Sequence, residues 1–317
     1  MNLILTLASG YNFHQLKPFF KTLQSTSYSG DIVVFGHALT SHTIQQIEAH
    51  NARVVLYEKD HPYIHKIAKS QVKNPGQYLY PNSLRYFLYQ AYLKEHKGEY
   101  DQVMHTDIRD VIFQKNPFDY PYQDGVYFFL EHTTTKLGSS QHNSYWIQHG
   151  FGQKVLDQMK DETISCSGVT IADYDSFMDY LSKMTNHLCK IPDTGGMDQG
   201  IHNYMLRNNQ LSKFHTVPDD SGTVSTISTF KPFKCIKLGN HNTVVNQNGA
   251  LINIVHQYDR HWGLLWRYNK REYFKRRTDL LKQFLLAVKK AKKVKRSHLK
   301  NLKSILFSPM LKKYTWE

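Results

Sequence analysis

The chain has 317 residues, with 40% hydrophobic and 21% charged positions, which suits one sizeable α/β domain or one domain with an appendage. No run approaches the roughly 18 consecutive apolar residues that a membrane span needs. Three cysteines (Cys166, Cys189 and Cys235), without CxxC spacing, argue against a disulfide framework or a thiolate zinc site. They point to a reducing compartment, so a cytoplasmic location is expected. The formal charge of +14 is uneven: residues 267–317 hold 17 Lys+Arg against 3 Asp+Glu, whereas residues 1–266 balance at 23 each. A neutral body carries a basic tail, and any electrostatic partner meets that tail.

In chain order, residues 3–7, 32–35 and 54–57 read as short strands, with helical spacing over 13–23 and 41–50. Such alternation predicts βαβ units and a mainly parallel sheet. Ala8-Ser9-Gly10 follows the first run and reads as a turn. Pro81-Asn82-Ser83 starts a predicted helix over 81–97, with Leu84, Phe87, Leu88, Ala91 and Tyr92 on one face. Strands are expected at 102–105, 125–130 and 169–171, and helices at 151–159, 174–187 and 198–208. Beyond residue 266, Leu281, Phe284, Leu285, Val288, Ala291, Leu299, Leu302 and Ile305 recur at three- to four-residue steps among lysines and arginines. That pattern predicts a basic amphipathic helix or helix pair, with Phe307 and Trp316 as further apolar anchors.

Two segments carry the chemistry. The apolar run at Val103-Met104 ends in Asp107-Ile108-Arg109-Asp110, and a β-branched run (Ile252, Ile254, Val255) ends in His256-Gln257-Tyr258-Asp259-Arg260-His261. A strand that stops at charged groups delivers them to the carboxyl edge of a sheet, where open α/β folds hold ligands. Carboxylates with one imidazole suit a divalent ion such as Mn²⁺ or Mg²⁺. An arginine beside them can clamp phosphate in a bidentate manner. No phosphate loop, G-x-G-x-x-G, H-E-x-x-H or G-x-S-x-G is present, so phosphate capture must depend on metal and side chains.

Residues 106–118 resemble the metal motif of GT-A fold glycosyltransferases in a D-x-R-D-V-x-F-Q variant of DxD. Cys166-Ser167-Gly168-Val169-Thr170, Gly195-Gly196-Met197-Asp198-Gln199-Gly200 and Val255-His256-Gln257-Tyr258-Asp259-Arg260-His261 follow in the order of that family's pattern. The resemblance spans most of residues 1–266 and leaves out the tail. It implies a GT-A-like, Rossmann-like α/β domain at 1–266 that transfers a sugar from a UDP- or GDP-sugar donor. The acceptor would be a hydroxyl of a glycan or a lipid-linked saccharide. Asp107, Asp110 and His256 are then expected as metal ligands, with Asp110 either a second carboxylate ligand or an orienting group for Arg109. In an extended strand the two acids face opposite sides, so joint ligation requires a turn at Arg109.

The resemblance also implies that Asp198 and Gln199 face the sugar and acceptor, with Asp198 as general base or donor-sugar contact; otherwise Asp198 is simply a helix N-cap. Ala8, Tyr11, Arg85, Arg109, Ser167, Gly168 and Arg260 are the expected donor-binding residues. Tyr11 would stack on the base, and Gly168 would let backbone approach the sugar. Arg85 would reach a phosphate or else be an ordinary exposed helical arginine. The tail at 267–317 is expected to meet an anionic membrane surface rather than nucleic acid, on the cytoplasmic face. Alternatives are a nucleotidyltransferase on a related scaffold and a non-catalytic binding protein with a basic tail.

Overall fold

The computed structural model describes residues 1–57, 79–228 and 231–290. By contacts the chain divides into Met1–Arg260 and His261–Glu317, and each unit is described by itself. In the first unit the chain runs through β1 (Asn2–Ser9), α1 (Phe13–Gln24), β2 (Asp31–His37), α2 (Ser41–Glu48), β3 (Arg53–Leu56), α3 (Pro81–Glu95) and β4 (Gln102–Thr106). It continues through β5 (Val111–Phe113), β6 (Val126–Leu130), α4 (Gln141–Phe151), α5 (Gln153–Met159), β7 (Ser165–Asp173), α6 (Tyr174–Leu188) and α7 (Met197–Arg207). Short strands follow: β8 (Phe214–Val217), β9 (Val224–Thr226), β10 (Lys237–Leu238), β11 (Val244–Val245) and β12 (Ile254–His256).

The fold is mixed α/β, with a mainly parallel central sheet flanked by helices. Seven strands lie in the order β3-β2-β1-β4-β7-β6-β8. Only β7 runs against its neighbours, pairing antiparallel with both β4 and β6. Alternation along β1 sets the layers: Leu3 and Leu5 enter one apolar cluster, Ile4 and Ala8 the other. The first cluster takes side chains from α3, α6 and α7, the second from α1 and from a small sheet, β5-β12-β9. Strands covered on both faces read as nearly continuous apolar runs, which is why β1, β2 and β4 were visible in the sequence.

Three elements depart from expectation. The expected one-faced helix α3 is buried at every position from Ser83 to Gln90, which brings Arg85 inside. The helix expected at 151–159 is α5, which starts two residues later at Gln153; Gly152, at φ 86°, separates it from α4, a helix that was not expected. Strand β7 is three times longer than the strand expected at 169–171, because polar Ser165 and Ser167 are also buried in the fold.

The second unit contains α8 (Trp262–Tyr268) and α9 (Lys270–Lys290). The expected tail residues Ala291, Leu299, Leu302, Ile305, Phe307 and Trp316 lie outside the described residues. No helix among the described residues is long and apolar enough to cross a membrane.

Candidate active site

The carboxyl ends of β1 and β4 lie side by side in the parallel part of the sheet, while antiparallel β7 starts at that same edge. Asp107 therefore follows β4 directly beside Gly168 and donates its backbone N–H to the Gly168 carbonyl at 2.8 Å. From Asp107 to Asp110 the chain bends before entering β5. β12 then pairs with β5 so that His256 stands opposite Val111, the residue after Asp110. The bend and this register bring one oxygen of Asp107, one of Asp110 and one nitrogen of His256 within 4.8 Å of one another. The turn at Arg109 that joint ligation requires is thus present.

The two acids have different surroundings. Asp107 keeps a 35% exposed side chain and binds Arg85 Nη1 through Oδ1 at 2.5 Å. Its Oδ2 faces His256 Nε2 at 3.3 Å. Burial would raise its pKa, but Arg85 and His256 hold the carboxyl well below the usual carboxylate range. Asp110 is 6% exposed, and burial raises its pKa, with Asp107 and Asp259 adding repulsion and His256 and Arg109 opposing. Arg109 and Arg260 each reach both Asp110 and Asp259, at 3.5 and 3.6 Å for Arg109 and at 3.5 Å from Arg260 to Asp110. Two half-exposed guanidiniums thus straddle two buried carboxylates at the mouth of the cluster.

His256 is 1% exposed. Its Nδ1 lies 3.6 Å from Cys166 Sγ and 3.4 Å from Thr226 Oγ1, which fixes the ring and turns Nε2 toward Asp107. Burial disfavours the imidazolium, yet Cys166, Asp107 and Asp110 together push its pKa well up. Gly168 makes this approach possible. A Cβ there would fall 2.6 Å from His256 Nε2 and 2.9 Å from Asp107 Oδ2, so no side chain fits. Its demonstrable task is to let Asp107 and His256 meet across β7.

Arg85 is 5% exposed and joins two parts of the edge. Besides Asp107 it holds Asp198 at 3.0 Å. Asp198 also accepts from Asn82 Nδ2 at 2.7 Å, Ser167 Oγ at 3.2 Å and Tyr86 Oη at 3.3 Å. Its pKa is raised by burial, against the pull of Arg85. The N-cap of α7 is Gly196, at φ 107°, so Asp198 sits in the first turn rather than at the cap. Gln199 is fully committed: its Oε1 accepts from Ser167 N at 2.7 Å, and its Nε2 donates to Ser165 O at 2.8 Å and Asn143 Oδ1 at 3.1 Å. Asp198 and Gln199 thereby clamp the start of β7.

The remaining expected residues are near or behind this edge. Ala8 is fully buried in β1, packed on the α1 side. Tyr11 follows in the turn after β1; burial raises its phenol pKa, with Arg109 opposing and Asp107, Asp110 and Asp259 adding to it. Sequence reading did not single out Tyr86, His105, Glu131 or Thr226, and it took Asn82 only as part of a helix start. His105 donates Nε2–H to Ser167 O at 2.8 Å from inside β4. Glu131, just past β6, has its pKa pushed up to about 7, first by burial, and lines a cavity of about 180 Å³ with Asp219, Ser225 and Lys231. None of these carries a local motif, because each is defined by a partner dozens of residues away.

The sequence matches no known protein family and no curated protein. Among solved structures, the chain is similar to the crystal structure of mouse xyloside xylosyltransferase 1 in its apo form. The likeness has 13% sequence identity and a TM-score of 0.45, and covers 81% of this chain and 97% of that one.

Proposed function

We propose that the chain is a metal-dependent, GT-A-like glycosyltransferase that moves a sugar from a UDP- or GDP-sugar to a hydroxyl of a glycan or lipid-linked saccharide. The observation that carries this reading is the convergence of Asp107, Asp110 and His256 at a carboxyl sheet edge. Their donor set, two carboxylates and one imidazole, fits Mn²⁺ or Mg²⁺ and lacks the thiolates or multiple histidines of a zinc centre. A cation held there would neutralise the charge that develops on a nucleoside diphosphate leaving group.

The chain's own residues supply the rest. Asp107, Asp110, Asp198 and Asp259 stand against Arg85, Arg109 and Arg260, so the protein charges nearly cancel before any ligand binds. Adding a dication makes the mouth favourable for a diphosphate. Arg109 and Arg260 orient the phosphates, since each guanidinium keeps about a third of its side chain exposed. Tyr11 supports the base from the turn after β1. A general base needs a free lone pair facing the acceptor, whereas Asp198 is 2% exposed and accepts from four protein donors. Asp198 and Gln199 therefore act as positioning residues, holding Arg85 and the Ser167-Gly168 backbone at the donor sugar.

The test is a panel of nucleotide sugars scored for Mn²⁺-dependent hydrolysis and for thermal stabilisation. The wild type is expected to hydrolyse at least one donor only with metal, and Asp107→Asn and His256→Ala to lose that metal-dependent hydrolysis. If both variants matched the wild type with every hydrolysed donor, the assigned site would be wrong. If no donor and no Mn²⁺ shifted the melting temperature, the binding-protein alternative would replace it.

A further inference from the structure

The second unit presents an aromatic and aliphatic face that the chemistry above does not use. On α8, Trp262 and Trp266 are 40% and 37% exposed; on α9, Phe274, Leu280 and Leu281 are 51%, 45% and 49% exposed. Seven-residue steps from Tyr273 to Leu280 and from Phe274 to Leu281 place these four on one side of α9, with Phe284 next along it. The rings at the α8–α9 junction form one cluster: Trp266 lies 5.0 Å from Tyr273 and 5.3 Å from Phe274, and Trp262 lies 5.5 Å from Tyr273. Lys270 Nζ sits 5.2 Å above the Trp266 ring.

Around that face the helix is basic. Lys270–Lys290 carries eight Lys+Arg against Glu272 and Asp279. Isolated exposed apolar residues need no explanation, but five large ones grouped on two adjoining helices do. Their chemistry selects among partners. A nucleic acid would use the cations and stack on the rings, yet it offers nothing to Leu280 and Leu281. A second copy would bring like charge against like charge. A bilayer surface with anionic headgroups takes both, receiving tryptophan and phenylalanine at the headgroup–acyl boundary while lysine and arginine stems spread toward the phosphates.

We propose that α8 and the first half of α9 form an interfacial membrane-binding surface for anionic lipid, with Trp262, Trp266, Phe274, Leu280 and Leu281 as the inserted side chains. The anchor thus begins at the junction of the two helices, ahead of the residues on which the sequence pattern had placed it. This inference does not rest on the glycosyltransferase reading, because neither donor nor metal takes part in it.

Vesicle flotation of the full chain tests it, with phosphatidylcholine alone or with about one-third phosphatidylglycerol. Binding is expected only to the anionic vesicles, falling by an order of magnitude or more as salt rises from about 0.05 to 0.5 M. Trp266→Ser combined with Leu281→Ser is expected to weaken partitioning at least ~10-fold. Intrinsic tryptophan emission of a Trp316→Phe chain, which keeps Trp262 and Trp266, should shift to the blue on adding anionic vesicles and be quenched by brominated acyl chains, a readout that leaves the proposed face unaltered. Binding to vesicles without quenching, or binding unaffected by the double substitution in a folded variant, would overturn insertion by this face. Failure to float, with retention of a single-stranded oligonucleotide, would replace the lipid by nucleic acid.

Discussion

Asp107 and Asp110 are three residues apart and point toward the same imidazole, yet their environments are opposites. Asp107 is half-exposed and held ionised by Arg85, with its pKa depressed; Asp110 is buried beside Asp259, with its pKa raised. The contrast assigns different work to each. Asp107 is a permanent anion whose charge is already balanced on the protein side. Asp110 is an acid whose ionised form burial and its acidic neighbours disfavour, against the pull of His256 and Arg109; on the proposed reading a bound cation would favour that form. Environment, rather than residue type, separates the roles.

The largest effect should come from removing the group that sets Asp107 apart. Arg85→Met leaves Asp198, whose side chain is only 3% exposed, without its guanidinium, and should cost ~3–5 kcal/mol in a urea or thermal unfolding experiment. Adding Asp198→Asn should restore a good part of that loss, because it removes the stranded charge. If the single variant unfolded like the wild type, Arg85 would not be the group that makes the burial of Asp198 tolerable.

Next in size is metal binding. By titration calorimetry, Asp107→Asn and His256→Ala should each weaken Mn²⁺ by more than ~100-fold, the upper end of what outer-shell changes produce. Asp110→Asn should weaken it less if Asp110 mainly orients Arg109, and equally if it is a full ligand. That single ratio decides between the two alternatives the sequence left open. Gly168→Ala probes the same place from behind: its methyl would press on His256 and Asp107, so a cost of ~1–3 kcal/mol and clearly weaker Mn²⁺ binding are expected.

The pH dependence sharpens the comparison further. The pKa of His256 is pushed well up, so its proton must leave before an ion is held; Asp110, shifted in the same direction, adds to that requirement toward lower pH, whereas Asp107, held ionised, contributes none. Mn²⁺ affinity should therefore rise with pH, by up to about tenfold per unit for each proton released, and flatten once both groups have lost theirs. In Asp110→Asn the slope should shrink to the His256 part alone. An affinity independent of pH from 5 to 8 would remove His256 from the ligand set.

How much of this was legible in the sequence follows the same division. Strands β1, β2 and β4 and the two charged stops announced themselves, because apolar runs that end in acids or histidine are local patterns. The bend that unites Asp107 with Asp110 was only a stated requirement, since it depends on β12 pairing with β5 across more than 140 residues. Arg85 was left open between a phosphate contact and an exposed helical residue. Its burial follows from α3 being covered on all sides, which a one-face apolar stripe does not reveal. Polar Ser165 hid the start of β7 for a related reason. Its partners Asn203 and His202, at 2.9 Å each, belong to α7, so its burial is a tertiary fact.

The smallest expected effect belongs to the rim. Arg260 shares Asp110 and Asp259 with Arg109, so Arg260→Ala leaves both carboxylates a remaining guanidinium. Its side chain is 28% exposed, and unfolding stability should change by no more than ~1 kcal/mol. The consequence should appear in donor binding: KM for the nucleotide sugar rising roughly five- to tenfold with kcat nearly unchanged, as expected when a phosphate contact is made equally in ground and transition states. A fall in kcat at constant KM would instead place Arg260 on the charge that develops as the diphosphate leaves. In that case Arg109 and Arg260, which look equivalent in their contacts to the two acids, would have divided the leaving group between them.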